Sequence, residues 1–207
     1  MPCTKLQLAW GLQTEEDFKK ACTFFDGNDF ACFVDPKEPP QFSFHSLLKA
    51  DIIEMGVREN AFVPLADAQN IAITSIEKQA DLTKWAHIAD ETSDMVYNDI
   101  ICFIEAAWAH GGTTCLMAME KENSIGVADV FVDDHGVGLI SSVGVLPSYR
   151  KKGVGSALMN KAIQLIFAEK AKEAVLFAWD SALPFYKKMG FQETKRWDFH
   201  FISPGKS

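Results

Sequence analysis

The segment V-G-V-L-P-S-Y-R-K-K-G-V-G-S, residues 143–156, places a basic, glycine-containing loop between a predicted strand and a predicted helix. The loop carries three cations, Arg150, Lys151 and Lys152, and the helix opens with Gly153, Val154, Gly155 and Ser156. The first turn of a helix has four unpaired N–H donors at the positive end of its dipole. Because glycine also lets the backbone approach an anion closely, the segment predicts a phosphate-binding loop.

The local charge is consistent with a phosphate-binding loop and also with an ordinary solvated basic loop. Residues 146–172 hold six basic residues and one acidic residue in a chain of net charge −8. A solvated basic loop remains an alternative on charge alone. Two nucleotide-binding motifs fit poorly, because Leu158 stands where G-x-G-x-x-G needs its third glycine and no G-x-x-x-x-G-K-[ST] occurs.

Short strands are predicted on both sides of the loop. Residues 113–120, 125–132 and 137–146 are separated by short turns, which is typical of an antiparallel meander. The later predicted elements are a helix over 153–168, a strand over 174–179, a short helix over 181–189 and a strand over 195–202.

A further set of elements is predicted between residues 14 and 110. Its predicted elements are a helix over 14–25, a strand over 29–34, a helix over 45–55, a strand over 59–65 and a helix over 93–110. Thr14 is the predicted N-cap of the first helix, with Asp17 at the capping-box position. Residues 66–92 are polar and ambiguous, and we place the junction between two halves there.

Composition excludes several classes of protein. Hydrophobic residues make up 48% of the chain and charged residues 23%, as in globular proteins and unlike disordered chains. The acidic balance argues against a nucleic-acid partner. No apolar run reaches the ~18 residues of a membrane span, and the five cysteines and five histidines lack metal-ligand spacing. We therefore expect a cytoplasmic protein with reduced thiols, no metal and no membrane contact.

Two segments together resemble a known family. Val145, Pro147, Tyr149, Arg150, Gly153 and Gly155 match V-x-P-x-Y-R-x-x-G-x-G, which resembles motif A of the GNAT N-acyltransferase superfamily. Residues 182–191, A-L-P-F-Y-K-K-M-G-F, resemble its motif B. The resemblance covers about residues 75–202. It implies an α/β fold of α+β type, with a mixed, mostly antiparallel sheet flanked by helices.

The resemblance implies acetyl-CoA as the acyl donor and assigns residues to it. The strand end Val143, Gly144 and Val145 would splay from its neighbour and offer backbone groups to the pantetheine arm. The loop Arg150, Lys151, Lys152, Gly153, Val154, Gly155 and Ser156 would hold the pyrophosphate. Tyr186 would face the CoA sulfur and donate to the departing thiolate, and the Val145 N–H would donate to the oxyanion. A core aromatic without a role in catalysis remains the alternative for Tyr186.

The sequence departs from the family pattern at two positions. Trp179 stands where many members have an asparagine that meets the pantetheine, so this contact is in doubt or is made by backbone. The strand before motif A offers Ser141 and Ser142 where many members have a glutamate base. Glu120, Asp129 and Asp133 are the candidates for a base on neighbouring strands.

These observations predict a two-part chain with an acetyltransferase activity. Residues 1–74 would be a degenerate GNAT-like half and 75–207 the catalytic domain, since M-G-V-R-E at 55–59 echoes M-G-F-Q-E at 189–193. The expected reaction moves acetyl directly from CoA to a primary amine of unknown identity. A non-catalytic acyl-CoA binding or sensing module and an inactive structural fold are the alternatives. The oligomeric state stays open, with a homodimer among the alternatives.

Overall fold

Nine strands in the described part of the chain form a single mixed sheet. The computed structural model describes residues 8–10, 14–24, 30–40, 42, 48–66, 68–92, 104, 108–109 and 111–202. The strands are β1 (Leu8–Trp10), β2 (Phe30–Val34), β3 (Leu48–Val57), β4 (Ile71–Ser75), β5 (Thr114–Glu120), β6 (Asn123–Val132), β7 (Val137–Val145), β8 (Glu173–Ala178) and β9 (Gln192–Ile202). Their order across the sheet is β1-β2-β9-β3-β8-β7-β6-β5-β4. Only β1–β2 and β7–β8 are parallel pairs, so the predicted mixed, mostly antiparallel sheet is confirmed.

Helices cover both faces of this sheet. The described helices are α1 (Glu15–Phe24), α2 (Gln79–Thr92), α3 (Val154–Ala168) and α4 (Leu183–Lys188). Along β6, Val127 packs in the cluster that contains α2, whereas Ala128 packs in the cluster that contains α3. Because successive side chains of a strand point to opposite faces, α2 and α3 lie on opposite sides of the sheet. None of these helices combines the length and hydrophobicity needed to cross a bilayer.

Several local predictions are confirmed. Thr14 and Asp17 form the predicted capping box: the Thr14 N–H donates to Asp17 Oδ2 (3.0 Å) and the Asp17 N–H donates to Thr14 Oγ1 (3.1 Å). The meander of β5, β6 and β7 is antiparallel throughout. The predicted helix over 153–168 and the strand and short helix after it correspond to α3, β8 and α4.

The helix predicted over 45–55 is wrong over its described residues, because residues 48–57 form β3. Ile53, Met55 and Val57 alternate along this strand and join the cluster that contains α3. Ile52 is buried on the other face, in an aromatic cluster with Phe199. A strand buried on both faces has no polar alternation, and periodicity alone does not distinguish it from a buried helix.

Three other predictions for this region also change. The strand predicted over 59–65 is wrong, since residues 59–61 form a single 3₁₀ turn and residues 62–66 are irregular. The ambiguous segment 66–92 contains β4 and α2. The echo does not mark equivalent positions, because Met55 lies inside a strand and Met189 lies in the turn after α4. The helix predicted over 93–110 falls almost wholly outside the described residues.

The first part of the chain enters the sheet between strands of the second part. β3 lies between β8 and β9 and pairs antiparallel with both. The Asn160 side chain of α3 donates to the Leu65 carbonyl oxygen (2.8 Å) and holds the irregular segment after β3 against the helix. The division between residues 1–74 and 75–207 stays a prediction.

Candidate active site

The sheet opens between β7 and β8. These strands pair in parallel only from Val137 opposite Glu173 to Ile140 opposite Leu176. Beyond this point β7 continues to Val145 and β8 continues to Ala178, but the two strands no longer pair with each other. The backbone groups beyond Ile140 on this edge of β7 are therefore released from the ladder, as the resemblance implies.

A bulge on the other edge of β7 accompanies the opening. Asp129 lies opposite Ser141 and Val127 lies opposite Gly144, so Ser142 and Val143 together face one residue of β6. Ser142 has a φ of 48°, which a non-glycine residue seldom adopts. Such a bulge bends the strand, and it lies at the point where β7 separates from β8.

A cavity of about 270 Å³ fills the opening. Its described wall comprises Ile52 of β3, Ala89 and Thr92 of α2, Ile140, Ser141, Ser142, Val143 and Gly144 of β7, Leu176, Phe177 and Ala178 of β8, and Trp179, Ser181, Ala182 and Tyr186 after it. None of these described residues is charged. The wall combines an aromatic side at Phe177 and Trp179 with hydroxyl groups at Ser141, Ser142 and Thr92.

The end of α2 lies very close to β7. A Cβ atom built on Gly144 would lie 1.8 Å from Thr92 Oγ1. The Thr92 hydroxyl in turn donates to the Ile88 carbonyl oxygen (2.6 Å). Only glycine permits this approach, so Gly144 has a packing role in addition to the backbone role that the resemblance implies.

The basic loop lies where β7 meets α3. Arg150, Lys151 and Lys152 are exposed, and Arg150 Nε donates to the Val145 carbonyl oxygen (3.0 Å). Gly153 is the N-cap of α3 with a φ of 83°, and no side chain among the described residues caps this helix end. The Ala157 N–H bonds to the Gly153 carbonyl oxygen. The preceding N–H groups of the first turn have no such helical acceptor and can bind an anion.

The direction of the Val145 backbone follows from strand alternation. The Leu146 N–H donates to the Ile125 carbonyl oxygen of β6 (3.0 Å). In an antiparallel pair, neighbouring residues point their backbone groups to opposite edges. Val145 therefore points away from β6, towards the opening, where its carbonyl already accepts from Arg150.

Tyr186 lies on α4 in the cavity wall. It is 8% exposed, and its ring contacts Phe185 and Phe191 at centroid distances of 5.1 and 5.9 Å. Burial raises the pKa of its hydroxyl to about 12. The side chain is thus both a core aromatic and a protonated group that faces the cavity.

The three candidate bases have different surroundings. Asp133 accepts the N–H groups of His135 (2.9 Å) and Val137 (2.8 Å) in the β6–β7 turn, and these bonds lower its pKa. Glu120 ends β5, away from the cavity wall. Asp129 is 3% exposed and accepts a hydrogen bond from Ser141 Oγ (2.5 Å). Burial raises the pKa of the Asp129 carboxyl.

The cavity brings together some predicted residues and adds others. Val143, Gly144 and Tyr186 line it, and Trp179 does so as well. Val145 and residues 150–156 lie outside this wall, at the adjoining end of β7 and start of α3. Thr92 and Ile52 also line the cavity and were not predicted as site residues. Thr92 lies in the segment 66–92, to which no element was assigned, and Ile52 lies in the segment predicted as a helix over 45–55. The described residues contain no group of three His, Cys, Asp or Glu side chains placed for a metal.

Comparisons with known proteins agree on one family. The family model described as acetyltransferase (GNAT) family matches residues 78–191, more than half of the chain. An uncharacterized N-acetyltransferase of Methanocaldococcus jannaschii is 34% identical over 80 residues, covering 36% of this chain and 29% of the relative. The glucosamine 6-phosphate N-acetyltransferase of Trypanosoma brucei brucei is 37% identical over 60 residues, covering 29% and 41%. The chain thus matches less than half the length of these curated relatives.

A solved structure extends the similarity of fold beyond the matched segment. The GCN5-related N-acetyltransferase from Kribbella flavida superposes with a TM-score of 0.67 at 15% identity. The superposition covers 90% of this chain and 72% of that one. The fold similarity therefore includes strands from the first part of this chain.

Proposed function

Because the chain belongs to the acetyltransferase (GNAT) family, we propose that it transfers an acetyl group directly from acetyl-CoA to a primary amine. The observation that carries this proposal is the opening between β7 and β8. The proposal is supported by β7 backbone groups and Tyr186 in the wall of one cavity, and by the start of α3 next to it.

The residues present suit an acyl-CoA. Arg150, Lys151 and Lys152 are exposed beside the free N–H groups of α3 and supply positive charge for a pyrophosphate. Charge-assisted hydrogen bonds of this kind contribute ~1.5–3 kcal/mol each before entropy costs. The edge of β7 beyond Ile140 does not pair with β8, and its backbone, including the Val145 N–H, is open to an amide-containing arm. When bound, acetyl-CoA supplies the activated thioester.

Transfer then depends on positioning and electrostatics. The Val145 N–H, directed to the opening, would donate to the carbonyl oxygen as negative charge develops on it. The Tyr186 hydroxyl would donate a hydrogen bond to the departing sulfur. A lysine-like amine with a reference pKa near ~10.4 must also lose a proton, at a cost of about 4.6 kcal/mol at pH 7.

A non-catalytic acyl-CoA binding module is the second candidate. It is favoured by the cavity wall, whose described residues include no charged side chain to act as a base. The two candidates agree on donor binding and differ only in turnover.

Two measurements test the proposal in order. Thermal unfolding with acetyl-CoA at ~100 times its dissociation constant should stabilise the fold by about 2.7 kcal/mol, or roughly 5–10 °C for a chain of this size. Thiol release is then followed with a panel of primary amines. A thermal shift without thiol release would favour the binding module, and no shift at millimolar acetyl-CoA would contradict both candidates.

The division into a degenerate half, 1–74, and a catalytic domain, 75–207, is part of this proposal. Ile52 of β3 lies in the cavity wall, so the first part would contribute to the acceptor side of the site. Cytoplasmic localisation also remains a proposal.

A further inference from the structure

A buried carboxyl group lies next to the part of the cavity wall that carries serine hydroxyls. Ser141 and Ser142 line the cavity, and the Ser141 hydroxyl donates a hydrogen bond to Asp129 on the neighbouring strand. The distance from Ser141 Oγ to Asp129 Oδ2 is 2.5 Å. Asp129 itself is 3% exposed. It therefore contacts the cavity through the Ser141 hydroxyl.

The carboxyl is incompletely satisfied. Asp129 Oδ1 is buried and has no hydrogen-bond partner among the described residues. Buried polar atoms in folded proteins nearly always have a partner, and a buried carboxylate without a cation is unfavourable. A group kept in this state at the edge of a reaction cavity is a candidate for a functional role.

The surroundings of Asp129 contain no compensating cation in the described part of the chain. Cys115 lies directly opposite it on β5, and its buried thiol has a pKa raised to about 12. The buried side chains of α2 that share a cluster with Cys115 and Val127 are all uncharged: Leu82, Trp85, Ala86, Ile88 and Ala89. The titratable groups of α2 are Asp81 and Lys84, which pair with each other, exposed His87 and Glu91, and half-buried Asp90.

We propose that Asp129, acting through the Ser141 hydroxyl, accepts the proton that the acceptor amine must lose before acetyl transfer. This inference rests on the proposed function. The ammonium N–H would transfer its proton to Ser141 Oγ while the Ser141 O–H proton passes to Asp129 Oδ2. The products of this step are a neutral amine, an unchanged serine and a protonated carboxyl, which later returns its proton to solvent by the same path.

The environment suits this role. A general base works best when its pKa lies near the working pH, where it is ionised and still basic. Burial raises the pKa of Asp129 from 3.8, towards the working pH. Asp133 lacks this property, because backbone N–H groups lower its pKa.

The test compares Asp129→Asn, Ser141→Ala and Ser141→Thr with the unchanged chain. Asp134→Asn, in the exposed β6–β7 turn, is the matched control for loss of one aspartate charge. The probes are tryptamine, spermidine, glucosamine 6-phosphate and a lysine peptide, and kinetics use the amine that gives the fastest CoA release. Acetyl-CoA binding of each variant is checked by its thermal shift.

We expect Asp129→Asn to lower kcat by roughly 100-fold or more, the usual range for loss of a general base. Its kcat should then rise tenfold per pH unit, because the bound ammonium must lose its proton to solvent before it reacts, whereas wild-type kcat reaches a plateau. Ser141→Ala should lower kcat about tenfold, since a water can replace the hydroxyl, and Ser141→Thr should restore it. Asp134→Asn should match the wild type in kcat and pH profile.

The inference would be overturned by an active wild type whose Asp129→Asn and Ser141→Ala variants keep its kcat and pH profile. If Asp129→Asn does not fold, Ser141→Ala and Ser141→Thr decide the question, because both keep the carboxyl. A wild type without an acetyl-CoA shift and without CoA release from any of the four amines would contradict the proposed function itself.

Discussion

Replacing Tyr186 with Phe removes one hydroxyl from the cavity and leaves the packing of α4 in place. The ring contacts Phe185 and Phe191, and these contacts do not need the oxygen atom. The side chain is 8% exposed, so the substitution changes little surface. Folding and donor binding should therefore be retained, and any loss of rate reports on the hydroxyl.

The expected magnitude follows from the two pKa values involved. The Tyr186 hydroxyl has a pKa of about 12, and a reference thiol titrates near ~8.5. Full proton transfer to a thiolate would be uphill by roughly 3.5 units, or about 5 kcal/mol. Tyr186 should therefore stabilise the departing sulfur by a hydrogen bond to a charged acceptor, which contributes ~1.5–3 kcal/mol. That stabilisation corresponds to a roughly 10- to 150-fold loss in kcat.

The assay is CoA release at saturating acetyl-CoA and amine, with the acetyl-CoA thermal shift as the control for binding. Tyr186→Phe should lower kcat within the range above and keep the thermal shift of the wild type. Between pH 6 and 9 the variant and the wild type should show the same pH dependence, because Tyr186 stays protonated throughout. A kcat within twofold of wild type would refute the role of the hydroxyl at the sulfur.

Three further substitutions test other parts of the structure. Gly153→Val should abolish the acetyl-CoA shift, because a Cβ there would lie 2.9 Å from the Ala68 backbone nitrogen at a φ of 83°; a full shift would contradict the pyrophosphate role. Gly190→Ala should lower the free energy of unfolding by about 2 kcal/mol or more, since its Cβ would lie 2.1 Å from the Ala61 carbonyl oxygen, and urea unfolding measures this. The stability of Asp129→Asn relative to wild type should increase as pH rises above about 3.8. Burial raises the pKa of Asp129 in the folded protein, so the folded wild type is destabilised when this carboxyl ionises, whereas the asparagine does not titrate. A stability difference that is constant from pH 4 to 8 would contradict the raised pKa.

The parts of the fold that were predicted correctly are those with local signals. The Thr14–Asp17 capping box marks the start of α1 by side-chain chemistry within one turn. The β5–β6–β7 meander follows from short turns between apolar runs, and α3 from a glycine start and a regular apolar stripe. Each of these signals depends on residues that are close together in sequence, so sequence alone reveals it.

β3 was mispredicted because its environment is not local. The strand lies between β8 and β9, which follow it in sequence by more than one hundred residues. Its burial on both faces exists only after those strands are in place. Ile52 and Thr92 could not be predicted as cavity residues for the same reason. Their neighbours in the cavity wall come from segments that are distant in sequence.

The candidate base shows where sequence and structure complement each other. In the sequence, the strand before the basic loop lacks the expected glutamate and has Ser141 and Ser142 instead. Three acidic residues on neighbouring strands are then equal candidates for the base. The pairing of β6 with β7 favours Asp129 among the three, because Ser141 lies opposite it and donates a hydrogen bond to its carboxyl. β7 thus lacks the carboxylate that many family members have, but a buried carboxyl group lies on the neighbouring strand β6. The Ser141 hydroxyl separates this carboxyl from the cavity. If the proton passes along this path, Ser141 and Asp129 should act as one unit, and the double variant Asp129→Asn/Ser141→Ala should lose no more kcat than Asp129→Asn alone.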